Sequence, residues 1–454
     1  MMNNTETFVS SAVKEKYYLY HHPSGLDIYL FPKKMTSVYA IFGTRYGSID
    51  NTFKVARDGD FITVPDGIAH FLEHKLFANE DGSDAFEHFS AFGADANAYT
   101  SFNKTAYLFS CTENFEDSLA ELLSFVTHPY FTEESVKKEI GIIAQEIKMY
   151  DDSPSDRCFY GMLEGMYEHH SIRRNICGTV ESISKITPKL LYDCYHTFYN
   201  LSNMALVISG DVELDTVIKV ADRVLPKESV TCDIICSDEN QLEKKQAFRP
   251  TVSERMNVSK PMFCIGIKDT DIPADGEERQ KKDAIMSVLN EMLFSRCSDF
   301  YDFLLQKELI NPSFSYCYTI SASAAYNSLA GESDEPKTVL REVKKYLSDV
   351  ASTGLSKKDF ERAKRVMYSE YVKLFDSTDS IANTLLSFVF DGASLFRYGE
   401  TLASLTFEEV EETFKTAFPD ECRVKCTVIF RREFKLLVPF FNNFLFHNYP
   451  RHRL

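Results

Sequence analysis

The chain has 454 residues, more than one hydrophobic core commonly supports, so two domains are expected. Its apolar fraction of 44% and charged fraction of 26% are ordinary for a soluble globular protein. A formal charge of −17 argues against a phosphate-binding surface, and so against nucleic acid as a partner, while weakly favouring a cationic peptide.

The opening Met1-Met2-Asn3-Asn4-Thr5-Glu6 has neither the basic nor the apolar region of a signal peptide, and no apolar run approaches the ~20 residues that span a bilayer. The eleven cysteines are scattered without paired C-x-x-C spacing. A cytoplasmic protein with reduced, partly buried thiols and no membrane span is therefore expected.

Residues 17–20 and 26–31 flank His22-Pro23-Ser24-Gly25 and read as a β-hairpin, with 37–43 as a third strand. The stretch Gly67-Ile68-Ala69-His70-Phe71-Leu72-Glu73-His74-Lys75-Leu76-Phe77 follows. On a helix of about 3.6 residues per turn, Ile68, Phe71, Leu72 and Leu76 form an apolar stripe, and His70, Glu73, His74 and Phe77 project from the other side. Asp66 is the expected N-cap. Two imidazoles at i and i+4 stand one above the other, a spacing that suits one tetrahedral zinc ion, and Glu73 lies between them on the same face, within reach of a metal-bound water. H-x-x-E-H is the reversed zinc-peptidase motif. Chance also produces such motifs, so a third ligand must be found downstream on an element held in the interior.

Residues 84–91 read as a helix, 94–101 and 106–110 as two further strands, 114–126 as a helix, and 132–151 as a longer helix opened by Thr132. A helix at 190–199, a strand at 204–210 and a helix at 212–224 close the first domain, 1–225. The polar, aperiodic 226–250 reads as a linker to a second domain, 251–430, with an apolar tail of no assigned role at 431–454. On the long helix Glu139 and Glu146 are seven residues apart and share a face with Ile142, Ile143 and Tyr150. A carboxylate on an apolar face needs a salt bridge or a cation, and the two upstream histidines favour a metal for Glu146.

The second domain repeats the first. Aligning 68–77 with 285–294 matches Leu72 with Leu289, Leu76 with Leu293 and Phe77 with Phe294, while His70, Glu73 and His74 fall on Ser287, Asn290 and Glu291. Residues 131–152 align with 355–376 at a nearly equal offset, with Glu146 on Glu370. The apolar scaffold is repeated and the histidines are not, which indicates a duplicated domain whose second copy carries no metal.

His70-Phe71-Leu72-Glu73-His74, followed about seventy residues later by Glu139-Ile140-Gly141-Ile142-Ile143-Ala144-Gln145-Glu146, closely resembles the M16 (pitrilysin-type) zinc metallopeptidases, and among them the bacterial proteins encoded as neighbouring pairs. The resemblance implies an α+β fold of two similar domains, each an antiparallel sheet with helices on one face, together half of a clamshell. It implies a zinc-dependent endopeptidase acting on extended peptides. His70, His74 and Glu146 match the zinc ligands, Glu73 the general base, and Glu139 a glutamate that supports the site from behind. Asn97, Ala98, Tyr99 and Thr100 match the edge strand that binds substrate backbone.

Family members commonly complete the site with an Arg and a Tyr from a half without metal. Here Leu305 stands at the expected arginine in Phe303-Leu304-Leu305-Gln306, and Tyr316 is the candidate tyrosine. The resemblance therefore implies a related M16 subunit as partner, favoured over a homodimer because both copies would lack the arginine. The alternative is a non-catalytic scaffold of the same fold. The full set of His70, Glu73, His74 and Glu146 favours the enzyme.

Overall fold

The computed structural model describes residues 4–55, 57–80, 82–229, 233–237, 242–420 and 423–430. The apolar tail at 431–454 lies outside the described residues. The first half runs β1 (Thr5–Ser10), β2 (Glu15–His21), β3 (Asp27–Pro32), β4 (Val38–Thr44), the short pair β5 (Thr52–Lys54) and β6 (Phe61–Thr63), then α1 (Ile68–Leu76) and α2 (Ala85–Phe92). It continues with β7 (Asp95–Thr100), β8 (Thr105–Cys111), α3 (Phe115–Thr127), α4 (Glu133–Asp151), α5 (Pro154–Met166), α6 (Val180–Ile183), α7 (Pro188–Phe198), β9 (Met204–Gly210) and α8 (Leu214–Val224).

The second half is β10 (Thr251–Met256), β11 (Met262–Asp269), α9 (Gly276–Phe294), α10 (Asp299–Gln306), β12 (Ser315–Ile320), β13 (Ala325–Glu332), α11 (Pro336–Thr353) and α12 (Lys357–Lys373). It ends with α13 (Thr378–Phe390), α14 (Leu395–Ser404), α15 (Phe407–Ala417) and β14 (Arg423–Phe430). The hairpin, the long helix and strand 204–210 fall where their patterns place them. Strand β1 and helix α5 carry no sequence expectation.

The first sheet has the order β1-β2-β3-β9-β4-β8-β7 and the second β10-β14-β11-β13-β12. Setting β3, β9, β4, β8 and β7 against β10, β14, β11, β13 and β12 superposes order and chain sequence together, with a helix pair between the corresponding strands. Duplication is thus written in the topology and not only in an apolar pattern. The expectation of wholly antiparallel sheets needs correction, because β3 pairs β9 in parallel and β10 pairs β14 in parallel. A strand arriving after a long helical excursion can join in either direction, and here it enters beside the first strand of its repeat.

Helices on one face only is the second correction. The inner face of the first sheet packs on α1, α3, α7 and α8 around Phe42, Phe71, Leu72, Phe109 and Leu122. Its other face, with Tyr29, Phe31, Ile41 and Val207, is covered by residues of the second half such as Ile381, Leu385 and Leu386 of α13. Reciprocally, α5 lies on β11 and β14, burying Met162, Leu163 and Met166 against Cys264, Val424 and Cys426. Those three side chains are wholly buried, together on the order of 5 kcal/mol of apolar burial. Each repeat thus lends one helix to the other's sheet, which makes the two halves a single packed unit. Among the described residues no helix is long and apolar enough to cross a membrane.

Candidate active site

Helix α1 forms because its apolar stripe meets the sheet: Ile68, Phe71 and Leu72 are wholly buried and Leu76 nearly so. Asp66 does not cap it. The N-cap is Gly67 at φ 91°, without a side-chain cap, while the Asp66 carboxylate accepts from Asn51 Nδ2 and Arg174 at 2.8 Å each. A Cβ on Gly67 would lie 2.4 Å from the Cys177 carbonyl oxygen, and one on Gly178 (φ 72°) 2.3 Å from that of Asp66. Close approach thus presses the 177–178 segment onto the start of α1. Phe77 also departs from expectation: it leaves the polar side for the core, stacking on buried Phe125 and on Phe86 at the surface. Nor is the polar side solvated, since His70 and Glu73 are each 7% exposed.

Helix α4 starts with a reciprocal cap between Thr132 and Ser135. It buries Ile143 and Ile147 while Ile142 points to solvent, so Ile142 does not belong to the face of Glu139 and Glu146. That face meets α1. Glu146 Oε1 lies 3.5 Å from His70 Nε2, and its Oε2 lies 3.6 Å from His74 Nε2. His74 Nδ1 donates to Glu139 Oε1 at 3.1 Å, and Lys75 Nζ stands 3.9 Å from Glu139 Oε2. His70 Nδ1 is buried with no hydrogen-bond partner among the described residues.

The electrostatics follow from burial and these pairs. Hydrogen bonding to His70 draws the Glu146 carboxyl below its ordinary range against the opposing effect of burial, helped by the charges of both histidines and by Tyr150. Burial would lower the His74 pKa, but the Glu139 hydrogen bond and the charges of Glu73, Glu146 and Glu139 raise it on balance. Glu73 is raised, by burial first and by Glu146, despite His70, Thr100 and His74.

The edge strand completes the site. β7 is the last strand of its sheet, and its side chains alternate: Ala98 and Thr100 face α1, while the Tyr99 hydroxyl reaches Asn383 of α13 at 3.2 Å. Thr100 Oγ1 donates to Glu73 Oε2 at 2.5 Å. Asn97, Ala98, Tyr99 and Thr100 line one wall of a cleft of about 450 Å³, with His70, Glu73, His74 and Glu146 also lining it. His70, Glu73, His74, Glu146 and the four β7 residues are brought together here, with Glu139 behind His74; Leu305 and Tyr316 are not.

One was not foreseen. Cys177 Sγ lies 3.8 Å from His70 Nε2, and His70, Glu146 and Cys177 are the only three-donor group among the described residues whose ligand atoms all lie within 4.8 Å of one another. His74 joins this group through Glu146. No local pattern flags Cys177, which is 107 residues from His70.

Tetrahedral zinc with bonds of about 2.0–2.1 Å has ligand separations of about 3.4 Å. Two imidazoles and a carboxylate, with a second carboxylate behind His74, match such an ion in donor type; the two Nε2 atoms stand 3.5 and 3.6 Å from different oxygens of Glu146, and His74 lies outside the group whose ligand atoms are all within 4.8 Å.

In the second half the equivalent place is filled by its own side chains. Asn290 and Asn327 exchange amide hydrogen bonds at 3.0 and 2.7 Å, and Glu291 accepts from Arg362 at 2.8 Å and from Tyr316 at 2.7 Å. Tyr316 is therefore engaged inside the second half and does not serve the histidine site. Glu370 is on the surface with Lys373, and Leu305 is 38% exposed on α10.

Two family models match the chain, one described as insulinase (peptidase family M16) over residues 64–180 and one as the peptidase M16 inactive domain over 185–367. The uncharacterized zinc protease YmfH of Bacillus subtilis (strain 168) is 40% identical over 414 residues, 90% of this chain and 96% of that protein. Among solved structures, an M16-like peptidase from Alicyclobacillus acidocaldarius superposes with a TM-score of 0.87 at 31% identity, covering 95% of this chain and all of that one. The periplasmic protease PqqL of Escherichia coli shares the fold at 16% identity and a TM-score of 0.66, with 90% of this chain spanning 47% of that chain. With the duplicated sheets and the identity to YmfH in agreement, the chain belongs to the M16 (pitrilysin-type) family.

Proposed function

We propose that this chain is a zinc-dependent endopeptidase that hydrolyses extended peptides, with residues 1–225 as the catalytic half and 251–430 as an inactive repeat. The observation that carries the reading is the Glu146 carboxylate between the Nε2 atoms of His70 and His74, with Glu73 tethered beside it to the edge strand. His70, His74 and Glu146 would hold the ion, and Glu139 would fix the His74 ring and its tautomer. When bound, zinc supplies Lewis acidity, drawing water toward hydroxide near neutral pH and polarising a scissile carbonyl.

The chain's own residues do the rest. Glu73 Oε2 is held by the Thr100 hydroxyl, leaving Oε1 to take a proton from the attacking water and pass it to the leaving amine. Burial raises its pKa, which makes it a better base than a surface carboxylate. β7 offers its unpaired edge to an extended peptide, whose backbone would continue the sheet across the cleft.

The same reading includes a related M16 subunit as partner. This chain has Leu305 at the place of the arginine, its Tyr316 is committed to Glu291, and 90% of it spans 47% of the PqqL chain. The partner would close over the cleft and supply the missing cation toward the developing oxyanion. A cytoplasmic setting is part of the proposal, supported by buried thiols such as Cys158, Cys194 and Cys426 that serve as small apolar groups in the core.

The test is metal analysis with peptide turnover on three proteins. His70→Ala is expected to lose bound zinc, because the donors that remain no longer compensate dehydration of the ion. Glu73→Gln is expected to keep zinc and fold while losing hydrolysis. Stoichiometric zinc in His70→Ala, or undiminished turnover in Glu73→Gln, overturns the assignment. Bound zinc without turnover in any subunit combination would favour the scaffold.

A further inference from the structure

We infer that Cys177 is a fourth metal donor, so that the resting site is closed by His70, His74, Glu146 and a thiolate. The inference rests on the zinc reading above. Three observations carry it. Sγ stands 3.8 Å from His70 Nε2, where zinc bonded at about 2.05 Å to nitrogen and about 2.3 Å to sulfur requires a separation of about 3.6 Å. The same sulfur also belongs with Glu146 to the three-donor group within 4.8 Å, which His74 reaches only through Glu146. Finally, the segment is held in place: Cys177 N donates to Asn175 Oδ1 at 2.9 Å, and the Ser182 hydroxyl donates to the Asp66 carbonyl at 2.7 Å. The glycine approaches at Gly67 and Gly178 clamp the same loop against α1. Cys177 is 5% exposed and lines the cleft with His70 and Glu146.

The consequence concerns regulation. Ligation releases the Sγ proton to solvent and fills the position that a catalytic site keeps open. Hydrolysis then requires the sulfur to leave that position. The soft thiolate also biases the site toward zinc and away from magnesium or manganese.

The experiment uses the full chain loaded with zinc or with cobalt(II). X-ray absorption of the zinc form is expected to show one sulfur among its ligands. The cobalt form is expected to show the near-ultraviolet thiolate-to-metal charge-transfer band, which Cys177→Ser and Cys177→Ala abolish and Cys317→Ser, at an exposed thiol, retains. Zinc retention against a chelator should fall by at least about tenfold in both Cys177 variants. Nitrogen and oxygen ligands alone in the zinc-loaded wild type overturn the role of Cys177 while leaving the peptidase reading intact. A cobalt band that survives in the Cys177 variants does the same. A chain that takes up neither metal overturns both. The wild-type absorption measurement decides the matter even where a variant fails to fold.

Discussion

Replacing Glu243 by Gln should cost the folded chain on the order of 3 kcal/mol at neutral pH. Glu243 lies between the halves, and its carboxylate accepts from Lys268 Nζ of β11 at 2.7 Å and from the backbone N–H groups of His169 and His170 at 2.6 and 2.7 Å. The Glu243 and Lys268 side chains are 7% and 4% exposed, so water screens the pair little. Burial opposes the charge, but Lys268 and the two amides outweigh it and bring the pKa from 4.5 to about 2. At ~1.36 kcal/mol per pH unit the difference is worth about 3 kcal/mol. Because the folded pKa is depressed, this stability is present in full above about pH 4.5 and is lost as the pH falls toward 2.

The assay is denaturant unfolding of wild type and Glu243→Gln at several pH values from 7 downward. The gap should be widest at neutral pH and narrow below about 4.5. Adding Lys268→Met to Glu243→Gln should recover part of the loss, since part of it comes from a buried ammonium left without its partner. Equal midpoints at pH 7, or a gap that does not narrow on acidification, would refute the reasoning.

Thr100→Val removes the hydroxyl that holds Glu73 Oε2 at 2.5 Å. It should slow peptide hydrolysis by about tenfold or more while zinc content stays at the wild-type level, and loss of zinc would show that Thr100 acts otherwise. Glu139→Gln weakens the partner of His74 Nδ1 and should reduce zinc retention against a chelator by about 10–100-fold, with unchanged retention counting against that role. The zinc-loaded chain alone should hydrolyse peptide at least about a hundredfold more slowly than with a related, metal-free M16 subunit carrying the arginine. Full activity of the isolated chain would remove the partner from the mechanism.

The sequence by itself determined the chemistry-bearing face and the local elements, because those depend on spacing along one helix or strand. His70, Glu73 and His74 share a side of α1 whatever surrounds it, and Thr132 opens α4 through its own hydroxyl. Glu146 was legible because two carboxylates seven residues apart on a half-buried helix need a partner, and the histidines supplied the candidate. The repeat was legible because both copies keep the same apolar positions.

Tertiary structure alone decided what buries each face. Periodicity shows that a face is hidden, not which element hides it, so the entry of β9 between β3 and β4 and the exchange of α5 and α13 had no signature in the chain. The same limit applied to single side chains. Phe77 turns inward because Phe125 and Phe89 lie there, Asp66 is drawn from capping by Arg174 and Asn51, and Ile142 turns outward because α1 meets α4 along the face of Glu146. Cys177 and Glu243 carry no local pattern at all: each acquires its role from atoms that folding brings to it across a long stretch of chain.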